Sequence, residues 1–285
     1  MGLTERIKKT YEQAVKEVTK KADDFLAASK AKSEQMRKAV EEGKMTEQAY
    51  RDWLIGQVFI GKRWKEKVAD ITRVYVDADK KAREIIGGTE KNVFAEFANK
   101  TANDIEKHFK GAVSFDVYDK RTVERLLKDD PKILPEWKID EPKDYIWNEK
   151  RVRNAVTQGI IQGESIPDIT KRMAGELGSS NAKHMTMFAR TAVTGAQNAG
   201  RVEMLHNAQD MGIQVKKKWL ATLDDRTRDS HADLDGTEVD VDEPFITNNG
   251  NEIMYPGDPN AAPEEVYNCR CTLTYVYPKY QPRGK

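Results

Sequence analysis

The chain has little cysteine and no long apolar segment. Its 285 residues contain only two cysteines, Cys269 and Cys271, which are too few for a disulfide scaffold, and a bridge across the one intervening residue would be strained. The longest apolar stretch, residues 53–60, is far too short to cross a bilayer. No signal peptide is expected, because residues 1–20 carry charges throughout. These absences favour reduced thiols, a cytoplasmic setting and no membrane contact.

A large excess of one charge is absent as well, because the formal net charge is only +1. A charged fraction of 33% against 38% hydrophobic residues favours extended, exposed helices over a thick core. Residues 1–100 hold 22 Lys+Arg and 17 Asp+Glu, whereas residues 221–265 hold 2 and 13. The sequence therefore predicts a basic helical arm and an acidic C-terminal lobe. Such an arm could bind nucleic acid, although charges that merely solvate helix faces explain the same pattern.

Apolar residues at helical spacing dominate the first 128 residues. We expect three helices there, which end near Gly43, near Gly87 and near Lys110. The second helix carries an aromatic series that we interpret as a helix-packing stripe rather than a base-stacking surface, formed by Trp53, Phe59, Trp64 and Tyr75.

The composition changes at residues 129–144. This segment contains three prolines and several charges, so helix is not expected there and we interpret it as a linker. Helices resume at about Tyr145 and are expected over residues 145–162, from the N-cap Ser165 to about Leu177, where Gly178 ends the helix, and over residues 182–211, where Gly212 ends it.

Alternation of apolar and polar residues replaces helical spacing after Gly212. Residues 215–221 and 271–277 are predicted strands, and Asn249-Gly250 is a predicted hairpin turn. The predicted fold class is α+β, mostly α: a long N-terminal helical arm or bundle followed by a small C-terminal lobe with a short antiparallel sheet. The predicted domains are a helical arm (1–128), a linker (129–144) and an α+β domain (145–285).

One segment combines residue types that rarely occur together by chance. An Arg-Thr pair on a predicted helix precedes a Trp, an acidic and basic cluster with a lone His, a Gly, and an Asn-Cys-Arg-Cys box that leads into the last strand. In order, these residues are Arg190, Thr191, Trp219, Asp224, Arg226, Arg228, His231, Gly236, Asn268, Cys269, Arg270 and Cys271.

This ordered pattern resembles the phage Mu F-like minor head protein family, also called phage head morphogenesis proteins. The resemblance covers Arg190 to Tyr277, with looser similarity from Tyr145. It implies a minor capsid protein of a tailed phage or prophage that associates with the portal vertex during head assembly and DNA packaging. The implied partners are the portal protein, which part of the aromatic stripe could contact, and capsid proteins, with double-stranded DNA left open. The implied location is the virion, after assembly in the host bacterial cytoplasm.

His231, Cys269 and Cys271 are residue types that bind zinc. A one-residue spacer between cysteines is less common in structural zinc sites, and the two thiols can instead be small hydrophobes on one side of a strand, with His231 hydrogen-bonded in a turn. No cofactor is therefore expected, and zinc remains an open alternative. A fourth zinc ligand could then come from Asp224, Asp225 or Asp235.

The basic residues of the lobe allow two interpretations. We expect Arg226, Arg228 and Arg270 to pair within the fold, because many carboxylates surround them and the lobe is too acidic to favour phosphate binding. The lysines of residues 216–218, beside Trp219, could touch a phosphate backbone or protect an edge strand from aggregation.

An enzymatic function is not favoured. Cys269 with His231 and Asn268 is the residue combination of a thiol protease, but an activated cysteine usually lies at a helix N-terminus and Cys269 leads into a strand. The spacing of Asp224, Asp225 and His231 matches no nuclease motif. We expect a non-enzymatic assembly protein; the alternative is a metal-dependent DNA-processing enzyme or a toxin-like effector.

Overall fold

A computed structural model describes residues 1–58, 61–134 and 141–278. Most of these residues are helical, and the strands are confined to the C-terminal part of the chain. The predicted α+β, mostly α, fold class is therefore confirmed. The helices are α1 (Leu3–Glu41), α2 (Glu47–Val58), α3 (Gly61–His108), α4 (Lys120–Asp129), α5 (Glu141–Ile161), α6 (Ile166–Lys171), a π-helical turn (Arg172–Glu176), α7 (Leu177–Asp210), α8 (Asp229–Ala232) and α9 (Pro263–Val266). The strands are β1 (Lys216–Leu220), β2 (Glu238–Asp240), β3 (Phe245–Ile246), β4 (Glu252–Ile253) and β5 (Thr272–Val276).

Several predicted helix ends are confirmed. Helix α1 ends at Glu41 before Gly43, and α7 ends at Asp210 before Gly212; both glycines have positive φ, +72° and +82°. Glycine adopts this left-handed conformation without a steric penalty and therefore ends helices well. Ser165 caps α6 by accepting a hydrogen bond from the Asp168 amide.

Two predicted helix ends are wrong. Helix α3 continues through Gly87 and Gly88, because each glycine costs a helix only about 1 kcal/mol, which the buried residues elsewhere along α3 offset. Helix α7 also contains Gly178, where an added Cβ would collide with Val15 of α1. Gly178 therefore permits close helix packing and does not end a helix.

Helix α5 begins at Glu141, inside the segment predicted as a linker. Pro142 occupies its first turn, where the missing amide hydrogen removes no helical hydrogen bond. Helix α4 was not predicted. Residues 135–140 of the predicted linker, and Phe59 of the predicted aromatic stripe, lie outside the described residues, and the side chain of Trp64 does as well.

The chain forms two compact units. The first contains Met1–Ile85 and Lys138–Thr186, and the second contains Ile86–Trp137 and Met187–Lys285. Helices α3 and α7 contribute to both. The predicted domains at 1–128 and 145–285 follow composition along the chain and remain a prediction.

The core of the first unit is built from α1, α3, α5, α6 and the start of α7. The predicted apolar positions Ile7, Tyr11 and Val18 of α1 are buried. Tyr75 of α3 is fully buried, and its hydroxyl lies 2.7 and 3.0 Å from the carbonyl oxygens of Met173 and Ala174 in the π-helical turn. This contact supplies a donor to carbonyls at an irregular helical turn, so Tyr75 belongs to helix packing, as predicted for the aromatic stripe.

A buried polar network also connects these helices. Asp79 of α3 accepts hydrogen bonds from the Tyr11 hydroxyl and, at 2.9 Å, from Asn148 Nδ2. Asn148 accepts in turn from Asn181, at 2.9 Å, and Arg151 donates to Asn181 at 2.6 Å. Burial raises the pKa of Asp79, although the hydrogen bonds from Tyr11 and Asn148 act in the opposite direction. The carboxylate is therefore tolerated only because donors surround it.

The second unit contains the sheet. Strand β1 lies between β2 and β5 in the order β2-β1-β5, with both pairs antiparallel, and Trp219 faces Leu273 across the β1–β5 pair. Strands β3 and β4 form a separate hairpin, with Phe245 opposite Ile253. Both long predicted strands and the Asn249-Gly250 hairpin are confirmed. Within the described residues, the search for a helix both long and apolar enough to cross a bilayer finds none.

We predict that Asp79→Ala lowers the free energy of unfolding by about 2–4 kcal/mol, because it leaves the Tyr11 hydroxyl and one Asn148 amide donor unpaired in the core. Asp79→Asn is the matched control: it keeps an acceptor oxygen and the side-chain shape, and should cost clearly less. Urea unfolding at pH 7 measures both. Equal losses for the two variants would contradict the role assigned to the network.

Candidate functional site

Three side chains from distant parts of the predicted motif meet in the second unit. Nδ1 of His231, on α8, lies 3.6 Å from Sγ of Cys269 and 3.6 Å from Sγ of Cys271. All three ligand atoms lie within 4.8 Å of one another, and each residue is at most 4% exposed. Asn268 (φ +59°) turns the chain between α9 and the cysteines, and asparagine is among the few non-glycine residues that favour this conformation. We call His231, Cys269 and Cys271 the thiol–imidazole cluster.

The other ring nitrogen of His231 faces a buried carboxylate. Nε2 lies 3.1 Å from Oε2 of Glu265, within ion-pair distance but without hydrogen-bond geometry. Glu265 is 3% exposed and accepts hydrogen bonds from Ser230 at 2.8 Å and Asn251 at 3.1 Å. Burial acts to raise the pKa of Glu265, but the hydrogen bonds from Asn251 and Ser230 and the charge of His231 lower it overall. The carboxylate can therefore orient and polarise the imidazole.

The pKa values of the two thiols shift in opposite directions. The hydrogen bond between them raises the pKa of Cys269, and burial adds to this effect. The same hydrogen bond lowers the pKa of Cys271, as does His231, against the effect of burial. A thiol and a thiolate beside an imidazole offer donor atoms suited to a soft metal cation.

Trp219 covers one side of the cluster. It is fully buried, with its ring 5.2 Å from the His231 ring in an edge-to-face arrangement and 5.2 Å from that of Phe245. The Gly236 amide donates to the Trp219 carbonyl at 2.9 Å, and Gly236 has φ +77°. The glycine of the motif thus permits the tight turn between α8 and β2 that fixes Trp219.

The arginines of the motif lie around this core. Arg270 donates to both carboxylate oxygens of Asp224, at 2.5 and 2.6 Å, and this pairing lowers the pKa of Asp224. Arg228 donates to the Tyr267 carbonyl. Arg226 is largely exposed, 4.0 Å from Asp224. Two of the three arginines therefore fasten the loop before α8 to the chain around the cysteines.

The carboxylates considered as a fourth zinc ligand do not join the cluster. Asp224 is held by Arg270 and also accepts from the Arg226 amide at 3.0 Å. Asp235 accepts from the Ala221 amide at 2.8 Å, and Asp225 is exposed. Among the described residues, the group of potential metal ligands contains only His231, Cys269 and Cys271.

The Arg-Thr pair of the motif is divided between core and surface. Thr191 is fully buried on α7, and its hydroxyl accepts a hydrogen bond from the Asn268 amide at 3.1 Å. This bond attaches the turn before the cysteines to α7. Arg190 is exposed and lies outside the cluster.

Asn198 of α7 was not identified from sequence, yet it organises the surroundings of the cluster. Its Nδ2 donates to the Pro256 carbonyl at 2.8 Å, and its Oδ1 accepts from the Leu273 amide at 3.0 Å. Gly195, one turn earlier, approaches Gly257 so closely that an added Cβ would collide with its carbonyl oxygen. A polar residue and a glycine inside a helix carry no diagnostic spacing, so only the packing reveals their importance. Glu265 was missed for the same reason, as one acidic residue among many.

The lysines of residues 216–218 do not protect an edge strand. Strand β1 is central and not an edge strand, so the edge-protection interpretation is wrong. Lys216 pairs with Asp240 at 3.1 Å, and Lys218 pairs with Glu238 at 3.0 Å. Lys217 is fully buried, donates to the Met254 carbonyl at 2.9 Å and lies 5.4 Å from the Phe245 ring centre. Burial lowers the pKa of Lys217 to about 8.

The buried Lys217 predicts a pH-dependent stability. Its pKa is about 8 when folded, against an ordinary value of 10.5, so the unfolded chain binds this proton more tightly. Relative to Lys217→Met, the wild type should therefore become more stable from pH 7 to pH 10, by about 2 kcal/mol. Urea unfolding at both pH values measures the difference, with Lys216→Met as the matched control on the same strand. Parallel pH curves for the wild type and Lys217→Met would contradict the prediction.

Comparison with known proteins gives a family match to the region that holds this cluster. Residues 150–274 match the model of the family described as Phage Mu protein F like protein. Minor head protein GP7 of Bacillus phage SPP1 is 35% identical over 122 residues, which are 43% of this chain and 39% of that protein. No solved structure matches the chain.

The names of two further relatives do not mention a phage head. A protein of Enterococcus faecalis named NAD(+)--arginine ADP-ribosyltransferase EFV is 38% identical over 133 residues, 47% of this chain and 27% of that protein. The uncharacterized protein YqbB of Bacillus subtilis is 29% identical over 204 residues, 70% of this chain and 62% of that protein. The chain thus spans less than two thirds of the length of each of these relatives. The family match and the ordered motif from Arg190 to Cys271 place residues 150–274 in the phage Mu F-like minor head protein family.

Proposed function

We propose that this protein is a non-enzymatic minor head protein that takes part in head morphogenesis of a tailed phage or prophage and is carried in the virion. The observation that carries the proposal is the match of residues 150–274 to the Phage Mu protein F like family. The similarity to the minor head protein of phage SPP1 supports it. We further propose the portal protein as a partner during assembly, with capsid proteins also in contact.

The burial of the thiol–imidazole cluster supports a structural role for this region. His231 is 1% exposed, and Cys269 and Cys271 are each 4% exposed, so a macromolecular substrate could not reach them. Trp219 closes one side, and hydrogen bonds from the Asn268 and Leu273 amides to Thr191 and Asn198 hold the surrounding chain. His231 and the two cysteines therefore lie inside a packed core, whereas Asp224, Asp225 and Asn268 are exposed.

One relative is named as an ADP-ribosyltransferase, but the aligned residues make up only 27% of that protein. Its name describes the whole protein, most of which lies outside the alignment. The burial of the cluster does not support the enzymatic alternative, which is a metal-dependent DNA-processing enzyme or a toxin-like effector.

The aromatic stripe predicted for portal contact is only partly available for it. Tyr75 is fully buried, and Trp53 is half-buried and stacked on Tyr50 with ring centres 6.2 Å apart. Helix α5 offers a different surface: Ile146 is 63% exposed and Trp147 is 42% exposed. Adjacent exposed large apolar side chains are typical of interface anchors. We propose these two residues as the portal contact.

Double-stranded DNA is a weaker candidate partner. Some of the arginines in the basic part of the chain are neutralised within the first unit, as in the pairs Arg37–Glu47 and Arg83–Asp144. Phosphate contacts depend on free cationic side chains and weaken steeply with salt. A salt titration of DNA binding therefore separates this partner from a protein contact through α5.

We predict that co-expression with the portal protein of the same genome gives a complex of larger mass than either protein, measured by size-exclusion chromatography with light scattering. Ile146→Ser combined with Trp147→Ser should reduce its yield at least about tenfold, because truncating interface anchors costs more than about 1.4 kcal/mol. Met211→Ser, which changes another half-exposed apolar residue, is the matched control and should leave the complex intact.

A complex that survives the α5 double variant would reject that surface, and failure of the wild type to form any complex would reject the portal as partner. A separate experiment tests the proposal that the protein is not an enzyme. DNA cleavage that requires a divalent metal and disappears in a folded His231→Ala variant would overturn it.

A further inference from the structure

We propose that the thiol–imidazole cluster is a zinc site, with Nδ1 of His231 and the sulfurs of Cys269 and Cys271 as the protein ligands. The site would join three short segments of the second unit: α8, the turn after α9, and the start of β5. It goes beyond a role in head assembly and concerns how this region is stabilised.

The spacing of the ligand atoms carries the proposal. In tetrahedral zinc sites the metal lies about 2.3 Å from a thiolate sulfur and about 2.0–2.1 Å from an imidazole nitrogen, which separates sulfur from nitrogen by about 3.6 Å. The two distances from His231 Nδ1 to the sulfurs of Cys269 and Cys271 are both 3.6 Å. Both nitrogen–sulfur distances thus match those of a tetrahedral zinc site.

The second nitrogen of His231 supplies an independent observation. Zinc-bound histidines commonly direct their other ring nitrogen to a carboxylate, which fixes the tautomer and makes the ligating nitrogen a better donor. His231 Nε2 lies 3.1 Å from Glu265, whose carboxylate is buried and held by Ser230 and Asn251. In the tautomer with the proton on Nε2, beside this carboxylate, Nδ1 has a lone pair available for a metal next to the two sulfurs.

The chemistry of the donors selects the metal. Thiolate and imidazole together favour zinc over magnesium or calcium, which prefer oxygen ligands. Among the described residues the cluster offers three protein ligands, so we assign the fourth position to a water molecule, as in other zinc sites with three protein ligands. Zinc sites with three protein ligands and a water are usually catalytic. Here all three side chains are at most 4% exposed, so we assign this ion a structural role.

The elements that the ion would connect are too short to be stable alone. Helix α8, which carries His231, and helix α9, which precedes the cysteines, contain four residues each. Isolated helices of this length do not form in water, and a structural zinc ion contributes its binding free energy to folding. Zinc would therefore add a cross-link to the contacts that already connect these segments, namely Arg270 with Asp224, Arg228 with the Tyr267 carbonyl, and the Asn268 amide with Thr191.

The test uses the full-length protein, purified under reducing conditions without chelators. Elemental analysis should find about one zinc per chain, and X-ray absorption at the zinc edge should show two sulfur neighbours and one imidazole nitrogen. Exchange for cobalt should give the absorption of a tetrahedral site with thiolate-to-metal charge transfer. These readouts need no variant and do not depend on activity.

Variants then assign the ligands. Cys269→Ser, Cys271→Ser and His231→Ala should each lose most of the zinc, whereas His206→Ala, which changes a histidine paired with Asp242 at 3.0 Å, should retain it. Glu265→Gln should still bind zinc but about 10–100-fold more weakly, because it alters only the orientation and basicity of His231. Chelation should lower the melting temperature of the wild type.

A wild-type protein that holds no zinc after purification and takes up none from added zinc chloride would overturn the proposal. A zinc-edge spectrum without sulfur neighbours, or a disulfide between Cys269 and Cys271 in the purified protein detected by mass spectrometry, would do the same. If a ligand variant does not fold, the wild-type absorption spectra still decide. Failure of the portal complex has no bearing on this result, and the two proposals therefore stand or fall separately.

Discussion

The antiparallel pairing of β1 with β5 is the interaction on which the C-terminal region depends. It places Trp219 opposite Leu273 and so brings Cys271, immediately before β5, to the ring of His231. Cys269 follows because Asn268 turns the chain just before it. The hydrogen bond from the Asn268 amide to Thr191 then joins this corner to α7. Loss of the β1–β5 register would separate the ligand atoms and expose Trp219, since a slip of one residue moves side chains to the opposite face of the sheet.

Close approach of backbones is the second constraint, and glycines make it possible. Gly195 of α7 lies against Gly257, and an added Cβ at Gly200 would collide with the Phe94 carbonyl oxygen of α3. Gly178 plays the same part in the first unit, against Val15 of α1. Each glycine lies inside a long helix and weakens it locally. The free energy lost there is offset by packing that a larger residue would prevent.

The distribution of exposed and buried groups separates stability from partner recognition. Groups with chemical reactivity, two thiols and an imidazole, are buried with a carboxylate behind them. Large apolar side chains remain exposed elsewhere, as at Ile146 and Trp147 of α5. This arrangement suits the assembly role that we propose better than catalysis at the cluster. The match of residues 150–274 to the phage Mu F-like family agrees with that assignment.

Local signals in the sequence determined much of the secondary structure. Helical spacing, the caps at Ser165 and Gly212, alternation after Gly212 and the Asn-Gly turn depend on neighbours a few residues away, and the α+β class follows from them. The ordered motif also identified His231 and the two cysteines as candidate zinc ligands. Only the tertiary structure decided what these residues do to one another. It showed that β1 is central, that Lys217 is buried, that Gly178 lies within a helix, and that Glu265 and Asn198 support the cluster. The physical reason is that these contacts join residues far apart in the sequence. They arise from packing and hydrogen bonding across the whole unit, and a local pattern of residue types does not encode them.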